Sequence, residues 1–261
     1  MLTNVRSDRV AAVRGLRQRP VRDRTGRFLV EGPQGVREAV RYATERVHDL
    51  YLTEAAAGRY AVDIVQPALA AGLRVHSVSE QVLAAMCDAQ TPQGVAAVVE
   101  VAHPTLEAVL AAKPTRLVLL HEVRDPGNAG TVIRAADAAG FDAVLLSASS
   151  VDVTAPKVVR STAGSIFHVP VVTALQTPAT LEVLRAHGIR SLAADGAGPV
   201  TLGEADLSGA HVWLFGTEAT GLPDGLRDAC DTVVTVPIHG KAESLNLAMA
   251  ATVCLYASAG V

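Results

Sequence analysis

The chain has 261 residues, of which 49% are hydrophobic, so it can bury a sizeable core in one large domain or two small ones. The three cysteines are an odd number without CxxC spacing. This pattern argues against a disulfide framework or a zinc site and predicts a cytoplasmic protein. The Arg-rich N-terminus lacks the apolar core of a secretory signal. Because the most apolar run, 245–261, is short and is interrupted by Asn246, we expect no membrane span.

Charge is distributed unevenly along the chain. The formal net charge is −3, yet residues 1–27 contain eight arginines against two aspartates, which gives +6 there and leaves −9 for the remainder. A charged segment is often only a solvated helix. However, guanidinium groups suit phosphates, and the asymmetry favours a polyanion that docks at the N-terminal end. The arginines that we nominate for contact with nucleic acid are Arg14, Arg17, Arg22, Arg24 and Arg27.

Residues 1–102 alternate between short helices and strands. An Arg-rich helix precedes the strand "RFLVEG", which Gly32-Pro33 ends, and a helix is predicted over 36–44. Further strands are predicted in "VHDLYLT", "LRVHSV" and "QGVAAVVEV". This part is therefore predicted to be a small α/β domain. Residues 103–114 begin and end near prolines and are predicted to be a linker.

Residues 115–261 show a stronger alternation of strands and helices. Apolar, strand-like segments occur in "RLVLLHEV", "AVLLSA", "RSLAAD", "HVWLFG" and "TVVTVPI". Apolar strands with helices between them predict a mainly parallel sheet that is covered on both faces. The predicted fold class is therefore α/β, and ligands of such sheets gather beyond the carboxyl ends of the strands.

Two polar loops follow predicted strands in this second part. In "RDPGNAGTVIRAADAAG", Asn128 could cap the helix that follows. Arg134 lies in an apolar stretch of the same helix, where a structural salt bridge is the simplest explanation for it. In "GTEATGLP", Gly216 would permit a ligand to approach the backbone closely, and Glu218 could favour a helix N-terminus.

A third polar loop, "VPIHGKAESLN", enters the final helix. Ser244 or Asn246 could cap that helix, but one cap does not require both. Three such loops at one edge of a sheet predict a pocket. The chain has no GxxxxGK[ST] phosphate loop and no GxGxxG after a first strand, so a nucleotide-binding oxidoreductase is disfavoured.

These loops carry a family resemblance. "NAGTVIRAADAAG", "LFGTEATGLP" and "VPIHGKAESLNLAMAATVCLY" resemble, in order and character, the three motifs of the SpoU (TrmH-type) branch of the SPOUT RNA methyltransferases. "GRFLVEGPQGVREAV" and "TPQGVAAVV" resemble the substrate-binding domain of its rRNA-modifying members. The resemblance implies a metal-independent enzyme that uses S-adenosylmethionine to methylate a ribose 2′-hydroxyl of RNA, with 23S rRNA as the expected substrate.

The resemblance also implies an architecture. An N-terminal RNA-binding domain over 1–102 and a linker over 103–114 would precede a catalytic domain over 115–261. The C-terminal part of that domain would form a deep trefoil knot, and the enzyme would be a homodimer.

Matching the motifs position by position gives the expected site residues. The resemblance implies catalytic roles for Asn128, Arg134, Glu218, Ser244 and Asn246. It implies cofactor contacts from the knot loops at Ala194, Leu214, Gly216, Ile238, Ser244, Leu245 and Leu247. Because an arginine side chain stays protonated in proteins, positioning a phosphate or stabilising the developing alkoxide fits Arg134 better than acting as a base.

Two alternatives stay open. The same chemistry could act on tRNA, although the N-terminal domain favours rRNA. The chain could also be a non-catalytic RNA-binding or assembly factor on the same fold, against which the intact set of motif residues argues.

Overall fold

The computed structural model describes residues 1–260, which form two compact units. The first comprises Met1–Ala102 and Asp152–His168, and the second comprises His103–Val151 and the chain from Val169 onward. Numbered along the chain, the helices are α1 (Asp8–Gly15), α2 (Arg19–Thr25), α3 (Pro33–Tyr42), α4 (Glu54–Arg59), α5 (Gln66–Ala70), α6 (Glu80–Met86), α7 (Leu106–Ala111), α8 (Pro126–Ala138), α9 (Pro156–Ser161), α10 (Thr177–Ala186), α11 (Asp224–Asp228) and α12 (Leu247–Ser258). The strands are β1 (Arg27–Glu31), β2 (Val47–Leu52), β3 (Val75–Ser77), β4 (Val95–Glu100), β5 (Arg116–Leu120), β6 (Ala143–Ser147), β7 (Val171–Leu175), β8 (Arg190–Ala194), β9 (Val200–Thr201), β10 (His211–Phe215) and β11 (Thr232–Thr235).

The first unit contains a four-stranded sheet with the order β1-β4-β2-β3. Strands β1 and β2 run antiparallel to β4, and β3 runs parallel to β2. Because side chains alternate along a strand, Phe28 and Val30 of β1 share a core with α3, α5 and α9, whereas Leu29 shares another with α1 and α6. Helices thus cover both faces of the sheet, and the unit has the α/β composition that the sequence pattern predicts.

The first unit is discontinuous in sequence. Its second segment contains α9, and Val159 of this helix is buried in the same core as β1 and α3. The predicted domain boundaries assign all of 115–261 to the catalytic domain. They therefore do not anticipate that Asp152–His168 belongs to the first unit. The predicted linker also contains α7, whose Leu106, Val109 and Leu110 belong to the core of the second unit.

The second unit contains a seven-stranded sheet with the order β7-β6-β5-β10-β8-β11-β9, and all of its strand pairs are parallel. Strands β6 and β10 are buried at every position, as parallel strands covered on both faces should be. Helices α7 and α10 cover one face. On the other face, Trp213 of β10 donates from Nε1 to Oγ of Ser258 in α12, at 2.8 Å. The predicted parallel sheet is confirmed.

Helix α12 has 12 residues and packs against α8 and β10. Ala248, Ala251, Cys254 and Leu255 form its buried side, whereas other apolar side chains of the helix are exposed. Within residues 1–260, no helix is both long enough and apolar enough to cross a membrane.

Candidate active site

A cavity lies at the carboxyl edge of the parallel sheet in the second unit. Strand β8 ends at Ala194, β10 at Phe215 and β11 at Thr235, and residues at and beyond these ends line a space of about 490 Å³. The segment before α12 supplies another wall, which includes Ser244 and Leu245. The strand order places β10 directly between β5 and β8, so loops from distant parts of the sequence meet at this edge.

Three of the predicted catalytic side chains form a hydrogen-bonded chain. Asn246 donates from Nδ2 to Oδ1 of Asn128 at 3.1 Å, and Asn128 donates from Nδ2 to Oε1 of Glu218 at 3.1 Å. The backbone fixes the direction of this chain, because Oδ1 of Asn246 accepts the N–H of Ala248 at 2.9 Å and leaves Nδ2 to face Asn128. Asn246 is therefore both the cap of α12 and one end of the polar chain.

Helix α8 is capped by Asp125 rather than by Asn128. Oδ1 of Asp125 accepts the backbone N–H of Asn128 at 2.8 Å, and Pro126 occupies the first position of the helix. The capping role predicted for Asn128 is therefore wrong, and its amide is free to join Glu218 and Asn246. The Asp-Pro pair is a common start of a helix and could have indicated this in the sequence.

Glu218 joins the loop after β10 to the start of α8. Its carboxylate accepts the backbone N–H groups of Arg124 at 3.5 Å and Asp125 at 3.3 Å, in addition to the amide of Asn128. A carboxylate beside a helix N-terminus is stabilised by the helix dipole. Glu218 thus acts at a helix N-terminus, as predicted, but the helix is α8 and not the one that follows it in sequence.

Arg134 is exposed on α8 and has no hydrogen-bond or ion-pair partner among residues 1–260. Its neighbours Val132, Ile133, Ala135 and Ala136 are all buried. The predicted structural salt bridge is therefore wrong. With 3.6 residues per turn, the helix buries these neighbours while Arg134 projects from the opposite side, where its guanidinium is available to an anion.

Most of the predicted cofactor positions line the cavity. These are Ala194, Gly216, Ile238, Ser244, Leu245 and Leu247. Leu214 does not line it, because it is fully buried in β10 and belongs to the core beneath the sheet. Side chains alternate along a strand, so Phe215, which was not predicted, lines the cavity in place of Leu214. Ser244 is exposed in the segment before α12.

Gly216 is required by the chain itself rather than by a ligand. A Cβ atom at this position would lie 2.2 Å from the backbone of Gly221. The loop doubles back there, because Thr217 donates its N–H to the carbonyl of Gly221 at 2.9 Å and accepts in return at 3.0 Å. This close approach is a contact within the loop, and the approach of a ligand to Gly216 stays a prediction.

The cavity is acidic. Asp195, Glu218 and Glu243 line it, and no lysine or arginine among residues 1–260 does. Three carboxylates without a compensating base oppose the phosphates of a nucleotide and suit a ligand with net positive charge. S-adenosylmethionine carries a sulfonium and an ammonium group against one carboxylate, so the residues present fit it. In the part of the chain that the structure describes, no cluster of three His, Cys, Asp or Glu side chains could hold a metal ion.

The nominated arginines of the first unit differ in exposure. Arg14, Arg24 and Arg27 are exposed. Arg17 is partly buried and donates to backbone carbonyls at the end of α6, including that of Ala85 at 3.1 Å. Three of the nominated side chains are thus free at the surface, and Arg17 is occupied by a helix C-terminus.

Arg22 is not available to nucleic acid, so that prediction is wrong. Its side chain is 4% exposed, with Nη2 2.6 Å from Oδ2 of Asp152 and Nε 3.1 Å from Oγ1 of Thr154. Nη1 donates to the carbonyls of Leu16 and Arg17. Burial would raise the pKa of Asp152, but hydrogen bonds from Thr154 and Arg22 more than offset it and hold that pKa below its ordinary value. The partner lies 130 residues away, so the local sequence gave no sign of it.

Two family-level sequence models match the chain. The SpoU rRNA Methylase family matches residues 115–256, and the MRM3-like substrate binding domain matches residues 7–97. The 23S rRNA (guanosine(2553)-2′-O)-methyltransferase RlmP of Bacillus subtilis is 31% identical over 98% of this chain and 97% of its own.

Solved structures are similar over nearly the same range. The AdoMet-bound rRNA methyltransferase from Sinorhizobium meliloti matches with a TM-score of 0.84 and 30% identity, over 98% of this chain and 96% of that one. The SpoU methyltransferase AviRb from Streptomyces viridochromogenes matches with a TM-score of 0.82 and 27% identity, over 97% of each chain. Both similarities therefore span both compact units.

Proposed function

Because the chain belongs to the SpoU rRNA methylase family, we propose that it uses S-adenosylmethionine to methylate a ribose 2′-hydroxyl of 23S rRNA. The observation that carries the proposal is the hydrogen-bonded chain of Asn246, Asn128 and Glu218 beside an acidic cavity. The relative RlmP is named as a 23S rRNA 2′-O-methyltransferase and is similar over nearly its whole length. That similarity favours 23S rRNA over tRNA as the substrate.

The loops after β8, β10 and β11 would hold the cofactor. When bound there, S-adenosylmethionine supplies a methyl group activated by its sulfonium. Phe215, Ile238 and Leu247 offer apolar surface, which excludes water, and Asp195 and Glu243 offer carboxylates to the positively charged groups. The residues thus divide into apolar walls and acidic partners.

The polar side chains outside the apolar walls would prepare the ribose. A ribose hydroxyl is a weak nucleophile, and its proton must leave as it attacks. The amides of Asn128 and Asn246, held by Glu218, would orient the hydroxyl, and Ser244 would offer a further hydrogen bond. The free guanidinium of Arg134 would bind the neighbouring phosphate or stabilise negative charge that develops on the 2′ oxygen. Orientation of the two reactants is worth roughly 7–11 kcal/mol in favourable cases.

We extend the proposal to a homodimer with a knotted C-terminal part, as the family resemblance implies. Support for the dimer comes from an exposed apolar stripe of Leu245, Met249, Val253 and Tyr256, which are 37–56% exposed and three or four residues apart. A second copy of the chain would cover this stripe. Replacing Met249 and Val253 with Glu should yield monomers in sedimentation equilibrium, and a dimer as tight as the wild type would contradict the assignment. A cytoplasmic location also stays a prediction.

One experiment tests the activity. The purified protein is incubated with S-adenosylmethionine labelled on its methyl group and with separated, unmodified 23S rRNA, 16S rRNA and tRNA, and the labelled ribose is mapped. We expect a single labelled ribose in 23S rRNA. A label in tRNA would select the tRNA alternative. If the protein binds the cofactor but transfers no methyl group to any of these RNAs, it is a non-catalytic RNA-binding factor.

A further inference from the structure

The first unit contains a cavity of its own, of about 300 Å³, that the proposed reaction does not use. It is formed by three separate segments: residues 30–35 at the end of β1, residues 87–95 before β4, and residues 159–163 around α9. Its volume is at the small end of the range for ligand pockets. It is large enough for one flat ring system and too small for a nucleotide chain.

Two copies of the tripeptide Pro-Gln-Gly meet at this cavity. They occupy residues 33–35 and 92–94, and Gln34 and Gln93 both line it. The two loops are tied together, because Gly32 donates its N–H to the carbonyl of Val95 at 3.0 Å. Gly32 has a φ of +88°, and a Cβ atom there would lie 3.3 Å from Oε1 of Gln93, so glycine keeps the space between the loops open.

An ionic network holds the walls of the cavity in place. The Glu31 side chain is 4% exposed and accepts the backbone N–H groups of Asp88 at 2.7 Å and Ala89 at 3.0 Å. Arg160 donates to Glu31 at 3.3 Å and to the carboxylate of Asp88 at 2.9 Å. This network holds the 87–93 loop and α9 against the end of β1, so the cavity is formed in advance of any ligand.

Three polar side chains of the cavity have no hydrogen-bond partner within residues 1–260: the amides of Gln34 and Gln93 and the hydroxyl of Thr91. Gln34 and Gln93 are both exposed. The rest of the lining is mixed, with an apolar part that includes the buried side chains of Val30, Val95 and Val159 and a polar part that includes Glu31 and Arg160. Each amide offers both a donor and an acceptor, which matches the mixed edge of a heterocyclic base.

The charge of the lining separates the possible ligands. Glu31 and Arg160 line the cavity and pair with each other, so no free cation remains to bind a phosphate and no free anion to bind a cation. Burial raises the pKa of the Cys87 thiol to about 12, so this residue stays protonated and acts as wall rather than nucleophile. A neutral, flat molecule with donors and acceptors at its edge is the ligand that this lining fits.

We infer that this cavity binds one unpaired nucleobase of the RNA substrate, whose hydrogen-bonding edge is recognised by Gln34 and Gln93. The inference rests on the proposed function, which brings RNA to the protein. Proteins that read RNA sequence commonly take single bases from loops and bulges and bond their edges. The apolar walls would contact the faces of the base, and the two amides would distinguish one base from another.

The test uses the full-length protein and a 23S rRNA transcript. The double variant Gln34→Ala/Gln93→Ala is compared with the wild type and with Gln90→Ala, an exposed glutamine of the same loop that does not line the cavity. We expect the double variant to bind the transcript at least tenfold more weakly and Gln90→Ala to bind within twofold of the wild type. Thermal unfolding checks that all three proteins are folded.

A second measurement locates the contact. The transcript is prepared with 4-thiouridine or 6-thioguanosine, irradiated with the protein, and the crosslinked peptides are identified by mass spectrometry. We expect crosslinks within 30–36 or 87–95 that the double variant loses. If the wild type methylates 23S rRNA, but the double variant binds the transcript as tightly as the wild type and no such crosslink forms, the base-binding cavity is refuted and the proposed function stands. If the wild type neither binds nor methylates any RNA, the proposed function fails and the inference falls with it.

Discussion

Two arginines, one in each compact unit, lie in opposite environments. Arg22 in α2 is 4% exposed and uses its whole guanidinium on protein acceptors, above all Asp152. Arg134 in α8 is exposed and unpartnered within the described chain. A buried and saturated guanidinium holds segments of the protein together, whereas a free one is available to an external anion. The same side chain therefore serves stability in one unit and, we propose, catalysis in the other.

The largest effect is expected from removing the buried arginine. Arg22→Ala leaves the charged Asp152, whose side chain is only 16% exposed, without its arginine partner, which should cost about 3 kcal/mol of unfolding free energy. Denaturation in urea, followed by circular dichroism, measures this. The double variant R22M/D152N should recover part of the loss because no unpaired charge remains. A loss below about 1 kcal/mol for Arg22→Ala would show that the pair is not structural.

Replacing the exposed Arg134 should lower activity and leave stability unchanged. Arg134→Ala is expected to lower kcat by about 10²–10³-fold, the usual cost of removing one group that stabilises a transition state. The melting temperature and the affinity for S-adenosylmethionine should stay near wild type, because no residue of the described chain depends on this guanidinium. Arg134→Lys should restore little, since a point charge does not reproduce the planar fork. Loss of cofactor binding by a folded variant would refute this role.

The exposed arginines of the first unit can be tested for contact with RNA. The triple variant of Arg14, Arg24 and Arg27 to Ala should bind 23S rRNA more weakly, and its logarithmic salt slope should fall by about two to three units. Arg59→Ala, an exposed arginine outside the 1–27 segment, serves as the control. An unchanged slope in a salt titration of the triple variant would mean that these arginines are only solvated.

The smallest effect concerns pH. His211 is buried, with Nδ1 3.0 Å from the carbonyl of Gly209 and Nε2 2.9 Å from Oγ of Ser258, and burial lowers the pKa of His211 below its ordinary value. The unfolded chain therefore takes up the proton first, and stability should fall as pH drops below about 6.5, down to the folded pKa.

Thermal unfolding of the wild type and His211→Asn at pH 7.5 and pH 5.5 isolates this contribution. Burial also lowers the pKa of His121, which contributes in the same direction and is common to both proteins. The wild type should lose more stability than the variant between the two pH values. Equal losses would show that His211 does not contribute.

Much of the fold and part of the site could be predicted from local patterns. The apolar strands predicted the parallel sheet, and three ordered motifs predicted the family, which the comparisons confirm. The family resemblance also named Gly216, Ile238 and Leu247 as cofactor positions, and all three line the cavity. Leu214 does not line the cavity, because the motif gives a position along the strand, whereas the pleat decides which face of the sheet a side chain occupies.

By itself, the sequence determined the alternation of elements, the polar loops at strand ends and the identity of the residues that gather there. Which of those groups are paired depends on how the chain folds. The fold made Asp125 the cap and left Asn128 to Glu218 and Asn246. It also brought residues 152–168 into the first unit. Periodicity and capping act over a few residues, whereas burial and charge pairing depend on partners far away in the sequence, as for Arg22 and Asp152, which are 130 residues apart.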